Sequence, residues 1–346
     1  MKKKSYSDKD LREQVLKMKD RGEKLLLKKR KFLGFDTGFT ILNNATDGFQ
    51  DELYLLAGGS SMGKTTFVTQ LCWQMCMKNE SEDLRIIYLS LDQKAIDITA
   101  KFVAQAGELP VDYVLHPFPV DEELDELRIK AISKVSSLKE RITVIDEEEF
   151  STRELEDVLI AERKAGVEKL FVIIDPLFKI KPEKEEERFL DTYRRVMLEL
   201  KKLSGRYGCG ILITYGLSSN AELRRPERRD LLEIPEILSI PYVVMSLYCD
   251  YMVNFETPFL EWDWSGRDIM VPISELNIIK NKMSFFMGRL FYRYFASLSL
   301  YRECVDQENE NYSQMIGNIV YHKEKAHRKD RQLLEKQLQK DDKVDV

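Results

Sequence analysis

From position 53 to 66 the chain reads LYLLAGGSSMGKTT, an apolar run that enters a loop of small residues and leaves through Gly63, Lys64 and Thr65. The spacing fits the template G-x-x-x-x-G-K-[ST], with Gly58 and Gly63 at the outer positions. Small residues at Gly58, Gly59, Ser60, Ser61 and Gly63 let successive backbone N–H groups face an anion without Cβ atoms in the way. Lys64 would then reach the β- and γ-phosphates of a nucleotide. Thr65 would offer its hydroxyl to Mg²⁺ at the N-terminus of a helix expected from Thr65 to about Met77, whose dipole also favours the anion. A chance glycine-rich turn would lack the strand before and the helix after that this stretch carries.

The second chemical anchor is LFVIID at 170–175. A continuous apolar run is the signature of a strand buried on both faces of a parallel sheet, and Asp175 stands at its carboxyl end, where such sheets bind ligands. With a phosphate loop upstream, that is the place of a Mg²⁺-organising carboxylate, so Thr65 and Asp175 are the expected metal pair.

These groups need a scaffold, and the pattern around them supplies one. Strand-length apolar runs at 53–57, 85–91, 141–146, 170–175, 210–215 and 242–248 alternate with helical stretches, among them 152–166, opened by the capping pair Ser151 and Glu154, and 189–203. Strands separated by helices predict an α/β fold with a mostly parallel sheet. The EWDWSGRD segment at 261–268 and the aromatic run SFFMGRLFYRYFASLSLY at 284–301 predict hairpins. RLFYRYF mixes bases and aromatics as a base-stacking surface does, but aromatic strand residues are more often core, and core is the expectation.

With 346 residues, 43% hydrophobic and 33% charged, the chain suits one large α/β core with additions, and a net charge of −5 does not mark a nucleic-acid binder by bulk charge. Any such contact needs a local patch. Arg224, Arg225, Arg228 and Arg229 cluster around Pro226 in a polar stretch and form a candidate cationic loop able to follow a phosphate backbone; a merely solvated run is the alternative. The five scattered cysteines suit free buried thiols in a reducing compartment. Cys72 and Cys76 share a helix face without the further ligands zinc requires, and the three histidines show no ligand spacing. No signal-peptide pattern and no bilayer-length apolar run occur, so a cytoplasmic protein without membrane contact is expected. The basic segment 1–33 carries leucines at partial helical spacing and reads as a docking helix rather than a nucleic-acid arm; 34–305 is the core; 306–346 is a polar tail, with a weakly apolar helix at 327–340 that frays or is held by a partner.

Taken in order, TGFTILNNATDGFQDELYLLAGGSSMGKTTF, IIYLSLD, ITVID, FVIIDPL, ILITYGL and LNIIKNK resemble the RecA-type ATPase core of DnaB-family replicative helicases over about 34–302. The resemblance implies a RecA-like P-loop NTPase core with a C-terminal β-hairpin, an N-terminal helix and a C-terminal helical tail. It assigns Gly58, Gly59, Ser60, Ser61, Met62, Gly63, Lys64, Thr65 and Thr66 to ATP, and Thr65 with Asp175 to Mg²⁺. Asp92 falls where the family has the glutamate that polarises the attacking water. Lys280 and Lys282 fall where a neighbouring subunit inserts a lysine and an arginine finger. A DNA-stimulated ATP hydrolase acting as a homo-oligomeric, hexameric ring on single-stranded DNA or RNA follows, with a further protein partner at the N-terminal helix or the tail.

The departures define a competing expectation. Asp92 is one methylene shorter than glutamate, Gly216 stands where the family places a γ-phosphate-sensing glutamine, and Lys282 cannot make arginine's bidentate contact. The family's large N-terminal helical domain has no counterpart here, and segment 1–31 resembles its linker helix. A nucleotide-dependent oligomeric assembly switch with slow or no hydrolysis is the alternative. A small-molecule kinase finds no support, because no arginine-rich lid is present.

Overall fold

The computed structural model describes residues 8–27, 31–119, 121–181, 188–217, 224–232, 235–254, 260–264, 267–305, 308, 310, 311 and 314. Its apolar runs become strands β1 (Leu53–Gly58), β2 (Leu84–Ser90), β3 (Ile142–Ile145), β4 (Lys169–Asp175), β5 (Gly210–Gly216) and β6 (Val243–Cys249), all paired in parallel. Strands β7 (Leu260–Trp264) and β8 (Arg267–Val271) form a separate antiparallel pair, as the Trp-rich hairpin predicted. Then β9 (Ile273–Asn281), β10 (Gly288–Phe295) and β11 (Leu300–Glu303) extend the main sheet antiparallel from β6. The nine-stranded order is β11-β10-β9-β6-β1-β5-β4-β2-β3.

The α-helices placed among the described residues include α1 (Asp8–Leu27), α2 (Thr40–Thr46), α3 (Lys64–Lys78), α4 (Ala95–Gly107), α5 (Val111–Leu115), α6 (Glu122–Ser136), α7 (Thr152–Lys164), α8 (Phe189–Tyr207), α9 (Pro235–Ser239) and α10 (Tyr251–Asn254). Side-chain alternation along the strands splits the core in two. Tyr54, Leu56, Tyr88 and Phe171 face the layer that holds α2, α3 and α4, while Leu55, Ala57, Val172 and Ile213 face α7 and α8. Each such burial contributes about 1.5–3 kcal/mol, which explains why the strands read as unbroken apolar runs. Helix α7 begins at the capping box read from sequence, with Ser151 and Glu154 satisfying each other's backbone N–H groups.

Two buried glutamines fix the helix that carries the phosphate-loop motif. Gln70 on α3 donates to the Tyr301 carbonyl at 2.8 Å and accepts from the Tyr301 N–H at 2.7 Å, so α3 is bolted to β11. Gln105 on α4 donates to the carbonyls of Thr66 and Ser299 at 3.1 and 2.7 Å. Neither glutamine stands out in the sequence, because the partners lie more than 190 residues away for three of these four bonds.

The RLFYRYF segment is core, as expected: Tyr292 is fully buried and Tyr294 and Phe295 nearly so. The thiols of Cys72, Cys76, Cys209 and Cys249 are free and buried. Helix α1 carries Val15, Leu16 and Met18 exposed to solvent beside the i,i+4 pair Lys17–Glu13 at 3.0 Å. The chain divides into two compact units, Met1–Glu303 and Cys304–Val346, and the tail helix expected at 327–340 lies outside the described residues. No helix among the described residues is long and apolar enough to cross a membrane. Replacing Gln70 by Leu strands both main-chain groups of Tyr301 in the core, so equilibrium urea unfolding should show a loss of about 2–4 kcal/mol.

Candidate functional site

At the carboxyl end of β1 the chain turns through Ser61 (φ 58°) and Gly63 (φ 83°) and enters α3 at Lys64. The seating is tight. A Cβ on Gly58 would lie 2.8 Å from the Leu247 carbonyl oxygen, and one on Gly63 would lie 2.1 Å from the Tyr301 hydroxyl. That hydroxyl donates to the Met62 carbonyl at 3.2 Å, and the Tyr301 ring stacks on Tyr294 at 4.7 Å between centroids. The aromatic strands β10 and β11 therefore form the bed of the loop. Lys64 folds over it, donating to the carbonyls of Gly58 and Gly59 at 2.9 and 2.6 Å.

A cleft of about 910 Å³ opens above, lined by Ser60, Ser61, Gly63, Lys64, Thr65 and Thr66 on one side and by Asp92, Asp175 and Gly216 on the other. The parallel register does this: Gly58 is level with Gly216, and Ser90 with Asp175. Asp175 is only 7% exposed, and its two carboxylate oxygens accept from the hydroxyls of Tyr88, at 2.9 Å, and Thr214. Burial pushes the Tyr88 phenol well above its ordinary pKa, so it stays a donor. Two hydroxyls occupy two of the roughly four acceptor sites of a carboxylate, which leaves capacity for a further ligand. Asp92 is different: its side chain is 61% exposed and pairs with Lys179 at 3.6 Å. An added Cβ on Gly216 meets nothing within 4 Å, so that position is open.

Several cleft residues escaped the sequence reading, and one of them is a cation. Lys101 on α4 lines the cleft, donates to the Gln93 side chain, and has its pKa lowered chiefly by burial, against the opposing pull of Asp97 and Asp175. The signal was present: Lys101 falls at i+3 from Ile98 on the stripe continued by Phe102 and Gln105, so a cation interrupts the buried face of an amphipathic helix.

Lys280 and Lys282 are not at this cleft. Lys280 pairs with Val244 near the start of β6, whereas Gly58 is level with Leu247 near its end. The Lys280 ammonium caps α9, donating to the carbonyls of Leu238, Ser239 and Pro241 at 2.9, 2.6 and 2.6 Å; burial, and then Lys282, Arg228 and Lys201, push its pKa down to about 8. Lys282 is exposed, with its ammonium 5.3 Å from the Tyr242 ring centroid.

The four arginines of the candidate cationic loop are engaged unequally. Arg224 forks onto Asp230 at 2.9 and 2.5 Å, and Arg225 onto the buried Glu275 at 2.8–3.1 Å, with Asp250 at 3.5 Å. Arg228 and Arg229 are exposed. Glu275 on β9 is 50 positions from Arg225, so local sequence could not show that this guanidinium holds the segment to the sheet. Among the described residues no cluster of three or more His, Cys, Asp or Glu side chains could hold a metal by itself.

A mostly parallel sheet with a phosphate-loop motif after β1 and a carboxylate at the end of β4 defines a RecA-like NTPase fold. One solved ATPase domain superposes with a TM-score of 0.74 over 86% of this chain and 100% of that one, at 19% identity. A DnaB-like replicative helicase, studied with its interactions with primase, gives 0.73 over 87% of this chain and 67% of that one, also at 19% identity. Residues 34–284 match the DnaB-like helicase C terminal domain, and the chain belongs to that family. Among named relatives, the replicative DNA helicase DnaB of Haemophilus influenzae is 25% identical over 229 residues, covering 64% of this chain and 47% of its own length. DnaB of Buchnera aphidicola from Acyrthosiphon pisum is 25% identical over 227 residues, covering 64% and 48%. The chain thus spans about half the length of these relatives.

Arg225→Ala leaves Glu275 buried with fewer partners, and thermal or urea unfolding should register a loss of about 3 kcal/mol. Adding Glu275→Gln to that variant should restore part of it.

Proposed function

We propose that the chain is an ATP hydrolase of the DnaB helicase type, binding ATP with Mg²⁺ and working as a homo-oligomeric ring, hexameric by family resemblance, on single-stranded DNA or RNA. The observation that carries this reading is the meeting of Lys64, Thr65, Asp92 and Asp175 around one cleft at the carboxyl ends of the parallel strands. The cleft has the size of a nucleotide site, and the glycines at 58 and 63 let the loop seat closely on the Leu247 carbonyl and the Tyr301 hydroxyl, where Cβ atoms would clash. Mg²⁺ usually takes one or two protein oxygens and fills its shell with phosphate and water, so Thr65 and Asp175 are a sufficient donor set. The bound metal would neutralise charge on the β- and γ-phosphate oxygens.

The chain's own groups do the rest. Backbone N–H groups of 58–65 bind the phosphates, and the Lys64 ammonium exchanges its two carbonyl acceptors for phosphate oxygens. Tyr88 and Thr214 orient Asp175. Asp92, exposed on the cleft wall, would orient an attacking water, with the reach of a shorter acid. Lys280 and Lys282 stand at the far end of the sheet from their own loop, which supports a role in the cleft of a neighbouring copy; Lys282 is the better candidate, since Lys280 already caps α9. Arg224 and Arg225 would shape the nucleic-acid loop, and Arg228 and Arg229 would supply its exposed charge. The exposed apolar side chains of α1, and the tail, remain the proposed seats for a protein partner. Free buried thiols fit a reducing cytoplasm.

The altered groups at Asp92, Gly216 and Lys282 favour a second reading, in which the same site binds ATP as an assembly switch with slow or no hydrolysis. Steady-state hydrolysis with and without single-stranded DNA or RNA separates the two. The motor reading expects stimulation by single strands and loss of nucleotide binding in Lys64→Ala. Joint replacement Asp92→Glu and Lys282→Arg should raise turnover by at least about tenfold, a barrier change of about 1.4 kcal/mol. Hydrolysis indifferent to single strands would tell against a motor, and no gain in the double variant would mean that these positions do not hold the proposed roles.

A further inference from the structure

Helix α4 is set against α3 by Gln105, which donates to the Thr66 carbonyl at 3.1 Å and to the Thr69 hydroxyl at 3.0 Å. Lys101 lies four residues earlier, on the same face and one turn nearer the start of the helix. That start belongs to the cleft end of the sheet. Four residues link Ser90, the last of β2, to Ala95, whose N–H donates to the Asp146 carboxylate at 2.8 Å just after β3. The step from Gln105 back to Lys101 therefore climbs roughly 6 Å past the first turn of α3 toward the cleft. It brings the Lys101 side chain to the cleft wall, among Thr65, Thr66, Asp92 and Asp175.

An ammonium in this place is costly. Lys101 is half-buried, and burial loosens its proton, with Asp97 and then Asp175 pulling the other way. It donates to the side-chain oxygen of Gln93, a neutral acceptor that takes one of the three donor positions of an ammonium. A helix that needed only packing on the stripe shared with Ile98 and Phe102 would carry an apolar residue here. The charge gains most when an anion enters the cleft, because a charge-assisted hydrogen bond is stronger in a partly buried site than in water.

The neighbours of Lys101 decide which part of a nucleotide it meets. The loop and Lys64 hold the end of β1, and Thr65 and Asp175 are the proposed metal pair. Gln93, which Lys101 engages, directly follows Asp92, the acid proposed to orient water. The group that lies between metal and attacking water is the terminal phosphate. Gly216, on the same cleft, has no side chain to contribute. We propose that Lys101 binds the terminal phosphate of ATP in its own chain's cleft, exchanging Gln93 for phosphate oxygens, and so makes the site prefer a nucleoside triphosphate to a diphosphate. The inference rests on the reading of the cleft as an ATP site and deepens it.

The test is isothermal titration calorimetry of the full chain with Mg²⁺, comparing a non-hydrolysable ATP analogue with ADP. Lys101→Met should weaken binding of the analogue about tenfold, the loss expected for one charge-assisted hydrogen bond, while the affinity for ADP stays within about twofold. Lys101→Arg should keep the preference for the analogue. A second measurement needs no substitution: acetylation of lysines in the unaltered chain, mapped by mass spectrometry. The analogue should suppress acetylation of Lys101 about fivefold or more, and ADP less than about twofold. Equal losses with both nucleotides in Lys101→Met, no loss with either, or equal protection of Lys101 by both would each overturn the proposal and leave the ATP-site reading standing. An unaltered chain that binds neither nucleotide would overturn both.

Discussion

The cleft depends on how closely the 58–63 loop can approach the sheet and the aromatic strands beneath it. Gly58 lies against the Leu247 carbonyl and Gly63 against the Tyr301 hydroxyl, at separations no side chain tolerates. Those contacts require residues without Cβ atoms where the loop meets its floor, and the Tyr301 hydroxyl holds the Met62 carbonyl in return. Gln70 carries the constraint on into α3 by gripping both main-chain groups of Tyr301. The antiparallel extension β10–β11 is therefore not an appendage. It is the floor on which the phosphate loop rests.

The carboxylates opposite are treated unequally. Asp175 is buried at a strand end and fixed by two hydroxyls, the arrangement of a group whose position must not vary. Asp92 is exposed and tied by one long ion pair to Lys179, worth at most about 1 kcal/mol. The carboxylate proposed to help hold the metal is thus fixed by its neighbours, while the group proposed to handle water is held more loosely. The open space at Gly216 reinforces the contrast, since an added Cβ there meets nothing within 4 Å.

What the sequence made legible follows from the range of the interactions involved. The six parallel strands, the loop, the Ser151–Glu154 cap and Asp175 are set by contiguous residues or short spacings, and the structure places them within a residue or two of the pattern. Lys101 was readable in principle as a cation on a buried helical stripe, but only once the cleft-facing side of α4 was known. Arg225 and Lys280 were not readable. Their partners, Glu275 and the carbonyls around α9, are brought to them by strand order, and both residues are engaged in holding segments in place. A cationic run in a sequence shows charge, not which charges are already spent on the fold.

The central claim is that this cleft binds a nucleotide and that copies of the chain assemble around it. Native mass spectrometry of the full chain with Mg²⁺ and a non-hydrolysable ATP analogue, with and without single-stranded DNA, tests it most directly. The account predicts a closed oligomer carrying bound analogue, further loaded with one nucleic-acid strand. A monomer free of analogue under the same conditions would contradict it.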